Sequence, residues 1–179
     1  MKLIFISSIS MVRRLGKQFA LLGLLLMLLT GCEEEKEAIP YLGINHTGKG
    51  VAAFAINGEG GILNVPPYGG GGKEVCCVNV PKTWRPGLVA KIDWQESGRY
   101  VRDDRGDIVR EDGLRYSVIE GALKSKTVPI PEYKPDEVMH FDVHFFANDV
   151  IQVKVAGLMM PTHPDYRPSY PVNPERAKP

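Results

Sequence analysis

The sequence has little net charge and lacks the common catalytic signatures. Its 22 lysine and arginine residues are balanced by 21 acidic residues, a formal charge of +1 at pH 7, so the strong positive field of a nucleic-acid-binding protein is absent. The patterns Gly-x-Ser-x-Gly, Ser-x-x-Lys, His-Glu-x-x-His and Cys-x-x-Cys do not occur. We therefore expect a binding protein and not an enzyme, without a cofactor and without a nucleic-acid partner.

Long apolar runs are scarce as well, and the clearest one lies near the N-terminus. Residues 19–29 are too few to span a bilayer, because a membrane helix needs about 20 apolar residues. Basic residues precede this run (Arg13, Arg14 and Lys17), and Gly31-Cys32 follows it. A basic start, a short apolar stretch and a small residue before the cleavage point form a secretory signal, here residues 1–31. The cysteine directly after that point predicts a bacterial lipoprotein lipidated at Cys32.

Lipidation at Cys32 would anchor the mature chain to a membrane by its first residue. Two or three acyl chains bind a bilayer far more firmly than a single chain, since each buried CH₂ contributes about 0.8 kcal/mol. Glu33 follows the cysteine, and by analogy with enteric lipoproteins this favours the outer membrane, with the protein facing the periplasm. Synthesis from Met1 or from Met11 gives the same mature protein.

The mature chain has the size of one domain. Removal of 31 of the 179 residues leaves 148 and, because four basic residues and no acidic residue are lost, lowers the formal charge from +1 to −3. Residues 32–40 are rich in glutamate and are interpreted as a solvated tether, and residues 41–160 as the globular domain. Residues 161–179 contain six prolines, which predict an extended C-terminal tail, partly packed or disordered.

Between these ends, apolar and polar residues alternate in short runs. Successive side chains of a strand point to opposite faces, and this pattern occurs in residues 88–94, 114–118, 139–145 and 151–155. Ala147-Asn148-Asp149 separates the last two runs with residues that tolerate positive φ, so the pair predicts a β-hairpin. Further candidate strands are residues 41–45, 51–56 and 74–80. The fold is therefore predicted to be mainly β, a single antiparallel sheet or sandwich-like domain with long Gly/Pro-rich loops.

Two polar stretches are predicted to be loops. Residues 68–72 contain four consecutive glycines, but a phosphate-binding loop would need a following helix N-terminus, whereas residues 74–80 look like a strand. This stretch is therefore predicted to be a flexible loop. Residues 102–113 are densely charged and are interpreted as a solvated hairpin or loop.

Cys76 and Cys77 are adjacent, which leaves their oxidation state open. An oxidising periplasm favours a disulfide, but neighbouring Cα atoms across a trans peptide are about 3.8 Å apart, less than the roughly 4.4 to 6.8 Å usual for disulfides. A vicinal disulfide would require a local turn and would supply a rigid binding surface or a redox element. The alternative is one buried thiol and one exposed or intermolecular thiol.

His140, Asp142 and His144 are the most prominent group of ionisable residues. Alternation places all three on one strand face. At about 3.3 Å per residue the two histidines lie about 13 Å apart along a strand. This is too far for both to bind one ion, because Zn–N distances are about 2.1 Å. We therefore predict no metal site, and interpret the three residues as a hydrated sheet face or as a surface that contacts a partner.

An ordered series of short motifs is distributed over residues 41–163. It comprises Asn45-His46-Thr47, Phe54-Ala-Ile-Asn57-Gly58, the glycine run before Cys76-Cys77, Pro81-x-x-Trp84-x-Pro86-Gly87, Trp94, Val128-Pro-Ile-Pro-Glu-Tyr133 and Val143-His144-Phe145. In this series the chain resembles the lipoprotein family catalogued as domain of unknown function 3304. The resemblance implies an association with type VI secretion loci that encode lipase effectors, because some members look like the cognate immunity proteins. It implies no catalytic residues.

The resemblance and the lipoprotein signal together lead to a hypothesis. The protein would be a lipid-anchored periplasmic immunity protein that binds a phospholipase effector, its expected protein partner beside the membrane. Candidate contacts are residues 102–113, the glycine run and the face of His140, Asp142 and His144. The alternative is a housekeeping envelope lipoprotein with a structural or small-ligand-binding role, and a third reading is an accessory factor that helps load the effector.

Overall fold

Strands dominate the part of the chain that the structure describes. The computed structural model describes residues 34–61, 64–71, 75–111, 115–174 and 176, so the signal segment and Cys32 lie outside it. Within these ranges, no helix is long and apolar enough to cross a membrane. The strands, in chain order, are β1 (Lys36–Asn45), β2 (Val51–Ile56), β3 (Glu59–Gly61), β4 (Gly69–Gly70), β5 (Val75–Pro81), β6 (Val89–Glu96), β7 (Arg99–Tyr100), β8 (Arg110–Glu111), β9 (Arg115–Tyr116), β10 (Val118–Ile119), β11 (Leu123–Pro129), β12 (His140–Phe146) and β13 (Val150–Ala156).

Most of these strands form two sheets, here called sheet A and sheet B. Sheet A has the order β13-β12-β1, and the other edge of β1 pairs with β5 along its first half and with β4 at its end. Sheet B has the order β11-β6-β2-β3, and all of its pairs are antiparallel. The predicted mainly β, single-domain fold is confirmed. Sheet A is mixed, because β1 and β12 are parallel.

The hydrophobic core lies between the inner faces of the two sheets. Phe145 of β12 is in edge-to-face contact with Phe54 and Trp94 of sheet B, at ring-centroid distances of 5.4 and 6.1 Å. Gly43 of β1 faces the same space, where a Cβ would lie 2.8 Å from the side chains of both Phe54 and Val65. Glycine at this position therefore allows the two sheets to pack closely as a sandwich.

The predicted hairpin near the C-terminus is confirmed as β12 and β13. The two strands pair along their full lengths. Asn148 and Asp149 in the turn both have a φ of 58°, a conformation that these residue types tolerate better than most. The strand predicted at residues 51–56 is β2, and those predicted at residues 74–80 and 88–94 are β5 and β6, with bounds shifted by one or two residues.

The predicted tether is wrong for residues 36–40. They form the first half of β1, in which Lys36 lies opposite Pro81 and Ile39 opposite Val78 of β5. Ile39 is buried in the core. The glutamate-rich composition gave no sign of this strand, because Ile39 is the one fully buried residue among residues 36–40 and the pairing with β5 is made by the backbone.

Several other strands were not predicted, among them β4 and β11. Gly69–Gly70 forms β4, which pairs with the end of β1, so these two residues are not a flexible loop; Gly72 lies outside the described residues. Leu123–Pro129 forms β11 at the edge of sheet B. The apolar-polar pattern did not indicate β11, because Val128 is its one buried residue and most of the others are polar.

Residues 161–174 form a C-terminal segment that packs on the outer face of sheet A. Pro161 and Tyr166 are buried, and the Tyr166 N–H donates to the His163 carbonyl at 3.0 Å within a short turn. The Tyr170 hydroxyl accepts a hydrogen bond from the Gly70 N–H. Of the two alternatives predicted for this tail, these residues follow the packed one.

Candidate functional site

The three ionisable residues predicted from the sequence share the outer face of β12. The intervening residues of this strand belong to the core, so His140, Asp142 and His144 all point away from it. Their exposed fractions are only 3%, 0% and 0%, and Tyr166 of the C-terminal segment lies against Asp142 and His144. The interpretation as a hydrated face is therefore wrong. Contact with a partner stays a prediction, and it would require displacement of this segment.

Tyr166 of the C-terminal segment and His140 both bond the carboxylate of Asp142. The Tyr166 hydroxyl donates to Oδ2, and Nδ1 of His140 lies 2.8 Å from Oδ1. An ionised carboxylate only accepts hydrogen bonds, so His140 carries a proton on Nδ1. Burial, followed by the charge of Asp142, raises the pKa of Tyr166. Tyr166 therefore stays protonated and continues to donate.

His144 continues this chain of hydrogen bonds toward the surface. Its Nε2 lies 3.4 Å from the Tyr166 hydroxyl oxygen, and its Nδ1 lies 3.0 Å from Nε2 of His46. Because Tyr166 donates its proton to Asp142, His144 donates from Nε2 to the tyrosine oxygen and accepts at Nδ1 from His46. Burial, with a smaller effect of the neighbouring His46 and Lys154 charges, lowers the pKa of His144 to about 3. A neutral His144 is what this acceptor role requires.

His46 is held at the outer end of the chain by its neighbours. The side-chain oxygen of the buried Asn45 accepts hydrogen bonds from the N–H and the hydroxyl of Thr47, and its amide donates to two loop carbonyls. The His46 ring stacks on Phe146 at a centroid distance of 4.2 Å. His46 is half-buried, and burial lowers its pKa. Asn45-His46-Thr47 therefore orders the loop that closes this end of the chain.

These side chains form what we call the buried network: His46, His144, Tyr166, Asp142 and His140. Lys154 of β13, opposite Asp142, adds a cation–π contact, with Nζ 4.0 Å from the centroid of the Tyr166 ring. Among the described residues, no group of three or more His, Cys, Asp or Glu side chains is arranged to hold a metal ion. The chemistry of the network is hydrogen bonding inside the fold, and it fastens the C-terminal segment to sheet A.

A cavity of about 670 Å³ lies beside the network along β13. His144, Lys154 and Arg167 contribute to its wall, together with Val128 and Glu137. Acidic, basic and apolar groups are thus mixed, and the charge of the cavity selects no class of ligand.

Cys76 and Cys77 are joined by a disulfide in β5, across a cis peptide bond, with their Cα atoms 3.1 Å apart. Cys76 is exposed and Cys77 is half-buried. β5 pairs with the first half of β1, whereas the buried network lies along β12, which pairs with the second half. The disulfide is therefore a separate feature from the network.

The charged stretch at residues 102–113 belongs to a small β structure, residues 99–119, which we call the arm. In it β7 pairs with β10 and β8 pairs with β9, while residues 112–114 lie outside the description. Three backbone hydrogen bonds of 2.9 to 3.0 Å form a closed ring: Val101 N–H to the Ser117 carbonyl, Ser117 N–H to the Val109 carbonyl, and Val109 N–H to the Val101 carbonyl. The ring ties the three chain segments of the arm together.

Exposed aromatic and basic side chains cluster on the arm. The rings of Tyr100 and Tyr116 are in edge-to-face contact at 5.3 Å and are 52% and 46% exposed. The Arg110 guanidinium lies 4.7 Å from the centroid of the Tyr116 ring and donates to its hydroxyl at 2.9 Å. We call these three residues the arm cluster. Tyrosine and arginine are enriched among the residues that dominate protein–protein binding energies.

The outer face of sheet B is built from small side chains. Gly60, Ala55, Asp93 and Ser125 lie side by side in one row across its four strands. A Cβ on Gly60 would lie 2.7 Å from the Cα of Ala55, so glycine is required there. An open depression of about 650 Å³ covers this row and reaches Leu123, which is 81% exposed. Sequence reasoning missed this face, for which the available signal was alanine at alternate positions of β2.

Comparison with known proteins identifies one family. The model of the family described as "Protein of unknown function (DUF3304)" matches residues 44–153. The matched range contains the arm, most of both sheets and four of the five residues of the buried network, while Tyr166 lies beyond it. No curated protein and no solved structure matches the chain.

Proposed function

The chain belongs to the DUF3304 family, and on this premise we propose that it is a lipid-anchored binding protein of the cell envelope that neutralises a lipase-type toxin. The anchor would be Cys32, and the location the periplasmic side of the outer membrane. The protein would bind the toxin and block either its active site or its docking on the bilayer. The proposal includes no catalytic step.

The observation that carries this proposal is the unequal covering of the two sheets. On the outer face of sheet A the row of ionisable residues of β12 is buried beneath the C-terminal segment, whereas the outer face of sheet B presents an open depression. Its small residues, Ala53, Ala55 and Gly60, allow the backbone of a partner to approach closely. Small-molecule sites are usually concave and bury most of their ligand, so an open face suits a protein partner better than a small ligand.

The membrane anchor supports the proposal by location. A toxin that attacks phospholipids from the periplasm has to be intercepted beside the membrane. A tether confines the inhibitor to that volume and so raises its effective concentration relative to a freely diffusing protein.

Periplasmic co-expression tests the proposal. The lipase-type toxin that the proposal expects to be encoded beside the gene is directed to the periplasm of a bacterial host, alone or together with the full chain, and survival is counted. We expect killing by the toxin alone, rescue by the full chain, and loss of lipase activity in the purified complex. Equal survival with and without the chain would overturn the neutralising role. An envelope defect on deletion without any toxin would instead support the housekeeping lipoprotein.

Cell fractionation tests the anchor separately. Cys32→Ala should release the protein from the membrane into the soluble periplasmic fraction, because no thiol would remain at the acylation position. The matched control is Cys76→Ser combined with Cys77→Ser, which removes two cysteines and should leave the protein in the membrane. Membrane retention of the Cys32→Ala variant would contradict the lipid anchor.

A further inference from the structure

We propose that the arm cluster, Tyr100, Arg110 and Tyr116, is the recognition site for a carboxylate-bearing surface of the toxin. This inference rests on the proposed function. The proposed function names a toxin as the partner; the inference names the residues that bind the toxin and the chemical group that they bind.

Arg110 is oriented to bind a carboxylate. Its Nη2 donates to the Tyr116 hydroxyl at 2.9 Å, and the guanidinium lies over the Tyr116 ring. A guanidinium has five N–H donors, so donors remain for a carboxylate, which arginine can bind through two parallel hydrogen bonds. Among the described residues, Tyr116 is the side chain that bonds Arg110. Tyr116 is uncharged, so this bond does not neutralise the guanidinium.

The residues around the cluster give one side of the arm a positive, partly apolar surface. Residues directly opposite each other in an antiparallel pair lie on the same face, and alternate residues of one strand share that face. The register of the arm therefore places on one side Tyr100, Val118, Arg110, Tyr116, Arg102 and Ile108. This set contains two arginines and no acidic residue, which favours a partner surface with carboxylates among apolar groups.

Three aspartates of the arm, Asp103, Asp104 and Asp107, lie at its turn, where Asp103 is held by hydrogen bonds, while Asp112 lies outside the described residues. Asp103 accepts hydrogen bonds from the N–H groups of Arg105 and Asp107, both at 2.9 Å, and its other oxygen lies 3.7 Å from Nε of Arg105. Asp104 and Asp107 are exposed beside it. Three carboxylates at the turn would be repelled by an anionic bilayer. The arm therefore suits a protein surface better than a membrane.

The arm is also prepared for binding without large rearrangement. The ring of three backbone hydrogen bonds at Val101, Val109 and Ser117 fixes its three segments relative to each other. A tyrosine side chain has few rotatable bonds and so presents a large contact area at low entropic cost. A preformed cluster avoids much of the ordering cost that reduces affinity.

The arm is attached to sheet B beside the open depression. It leaves sheet B after β6 and returns to it at β11. At this junction the Glu96 N–H donates to the Ala122 carbonyl at 3.0 Å, and Gln95 donates to the Glu120 carboxylate at 3.2 Å. Leu123, at the rim of the depression, follows directly. A partner bound on the open face would therefore lie within reach of the arm.

Charge reversal on the arm tests the inference. In the full chain, Arg110→Glu should weaken binding of the purified lipase-type toxin at least about 30-fold, the loss typical of a hot-spot residue, and should abolish rescue in the survival assay. Arg99→Glu is the matched control. It makes the same charge change at the residue before Tyr100 in β7, so its side chain points to the face opposite the arm cluster. This variant should change the dissociation constant less than about threefold.

A second variant separates recognition from folding. Val118→Gln leaves the charge of the arm unchanged and places a polar side chain opposite Tyr100; it should weaken binding about tenfold or more by disturbing apolar contacts. Both variants should retain the wild-type circular dichroism spectrum and melting temperature. Wild-type affinity of either folded variant would overturn the inference while leaving the proposed function intact.

The remaining outcomes also discriminate. If the wild-type chain neither binds nor neutralises the toxin, the proposed function fails, and the inference fails with it. Vesicles of phosphatidylglycerol and phosphatidylethanolamine test contact with lipid. If Arg110→Glu lowers the association of the full chain with these vesicles but leaves toxin binding intact, the arm contacts lipid and the inference is wrong.

Discussion

The outer faces of the two sheets differ both in chemistry and in exposure. On sheet A the row that β12 contributes to the face consists of ionisable residues, and it is buried beneath the C-terminal segment. On sheet B the face carries small residues beside the ion pair of Asp93 and Lys91, and it is open. The difference shows that a row of ionisable residues on a strand does not by itself mark a binding surface. Once a segment covers the row, each polar group needs a partner within the fold.

The same difference predicts where the protein tolerates substitution. The buried network connects two sequence regions, β12 and the C-terminal segment, through hydrogen bonds in a low-dielectric environment, where loss of one partner leaves the others unsatisfied. On the face of sheet B, side chains remain in contact with water, so a lost hydrogen bond is replaced by solvent. Substitutions should therefore affect stability on sheet A and binding on sheet B.

The largest effect is expected at Asp142. Asp142→Ala leaves the Tyr166 hydroxyl and Nδ1 of His140 without their acceptor and should lower the free energy of unfolding by about 3 to 5 kcal/mol. Asp93→Ala is the matched control on sheet B. Asp93 is half-exposed and bonds Lys91 at 3.0 Å, so its loss should cost less than about 1 kcal/mol.

Chemical denaturation of both purified variants provides the comparison. Equal destabilisation by the two aspartate substitutions would contradict the contrast between a closed and an open face. A stable Asp142→Ala protein would show that the C-terminal segment is held by something other than the network.

Tyr166→Phe should have a smaller effect, because it removes one hydroxyl and keeps the ring buried. Hydrogen bonds to charged groups contribute about 1.5 to 3 kcal/mol, so we expect destabilisation of about 2 kcal/mol and faster proteolysis within residues 161–174. Tyr100→Phe on the arm is the control and should change stability by less than about 0.5 kcal/mol. Limited proteolysis and denaturation with the same samples measure both effects. An unchanged cleavage rate in Tyr166→Phe would show that the hydroxyl does not hold the segment.

Acid should lower the free energy of unfolding through His144, which is buried on the outer face of sheet A. The pKa of His144 is about 3 in the folded protein against an ordinary 6.5, which is taken for the unfolded chain. Between these values the unfolded chain binds a proton that the folded protein does not, so the free energy of unfolding decreases as the pH falls from 6.5 toward 3. The slope from this residue is up to about 1.4 kcal/mol per pH unit. Above pH 6.5 its contribution is constant.

The effect of His144 can be isolated by comparing slopes. His144→Gln should reduce the pH dependence of the free energy of unfolding between pH 6.5 and pH 4.5, a range within the window of the shifted pKa. His163→Gln is the control, because it removes a histidine from an exposed position of the C-terminal segment and leaves the buried network intact. Parallel curves for wild type and His144→Gln would show that His144 binds its proton equally in both states.

The contrast between the faces also explains what the sequence could predict. The period of two in β12 predicted that His140, Asp142 and His144 share a face, since this follows from strand geometry alone. Their burial was not predictable in the same way. The covering residue Tyr166 lies 24 positions from Asp142, in a proline-rich segment without any periodic pattern. The available signal was the tyrosines among its prolines, because aromatic residues in such a segment gain free energy by packing.

The smallest effect on stability is expected on the open face, where binding should change most. Ala53→Gln adds a long side chain to the depression, at a half-exposed position with room around it, so the free energy of unfolding should change by less than about 0.5 kcal/mol. If the toxin docks there, the added side chain prevents close approach and rescue in the survival assay is lost. Thr127→Gln, exposed on β11 of the same sheet but outside the lining of the depression, should rescue normally. Full rescue by Ala53→Gln would exclude the depression as a docking surface and would leave the arm as the remaining contact.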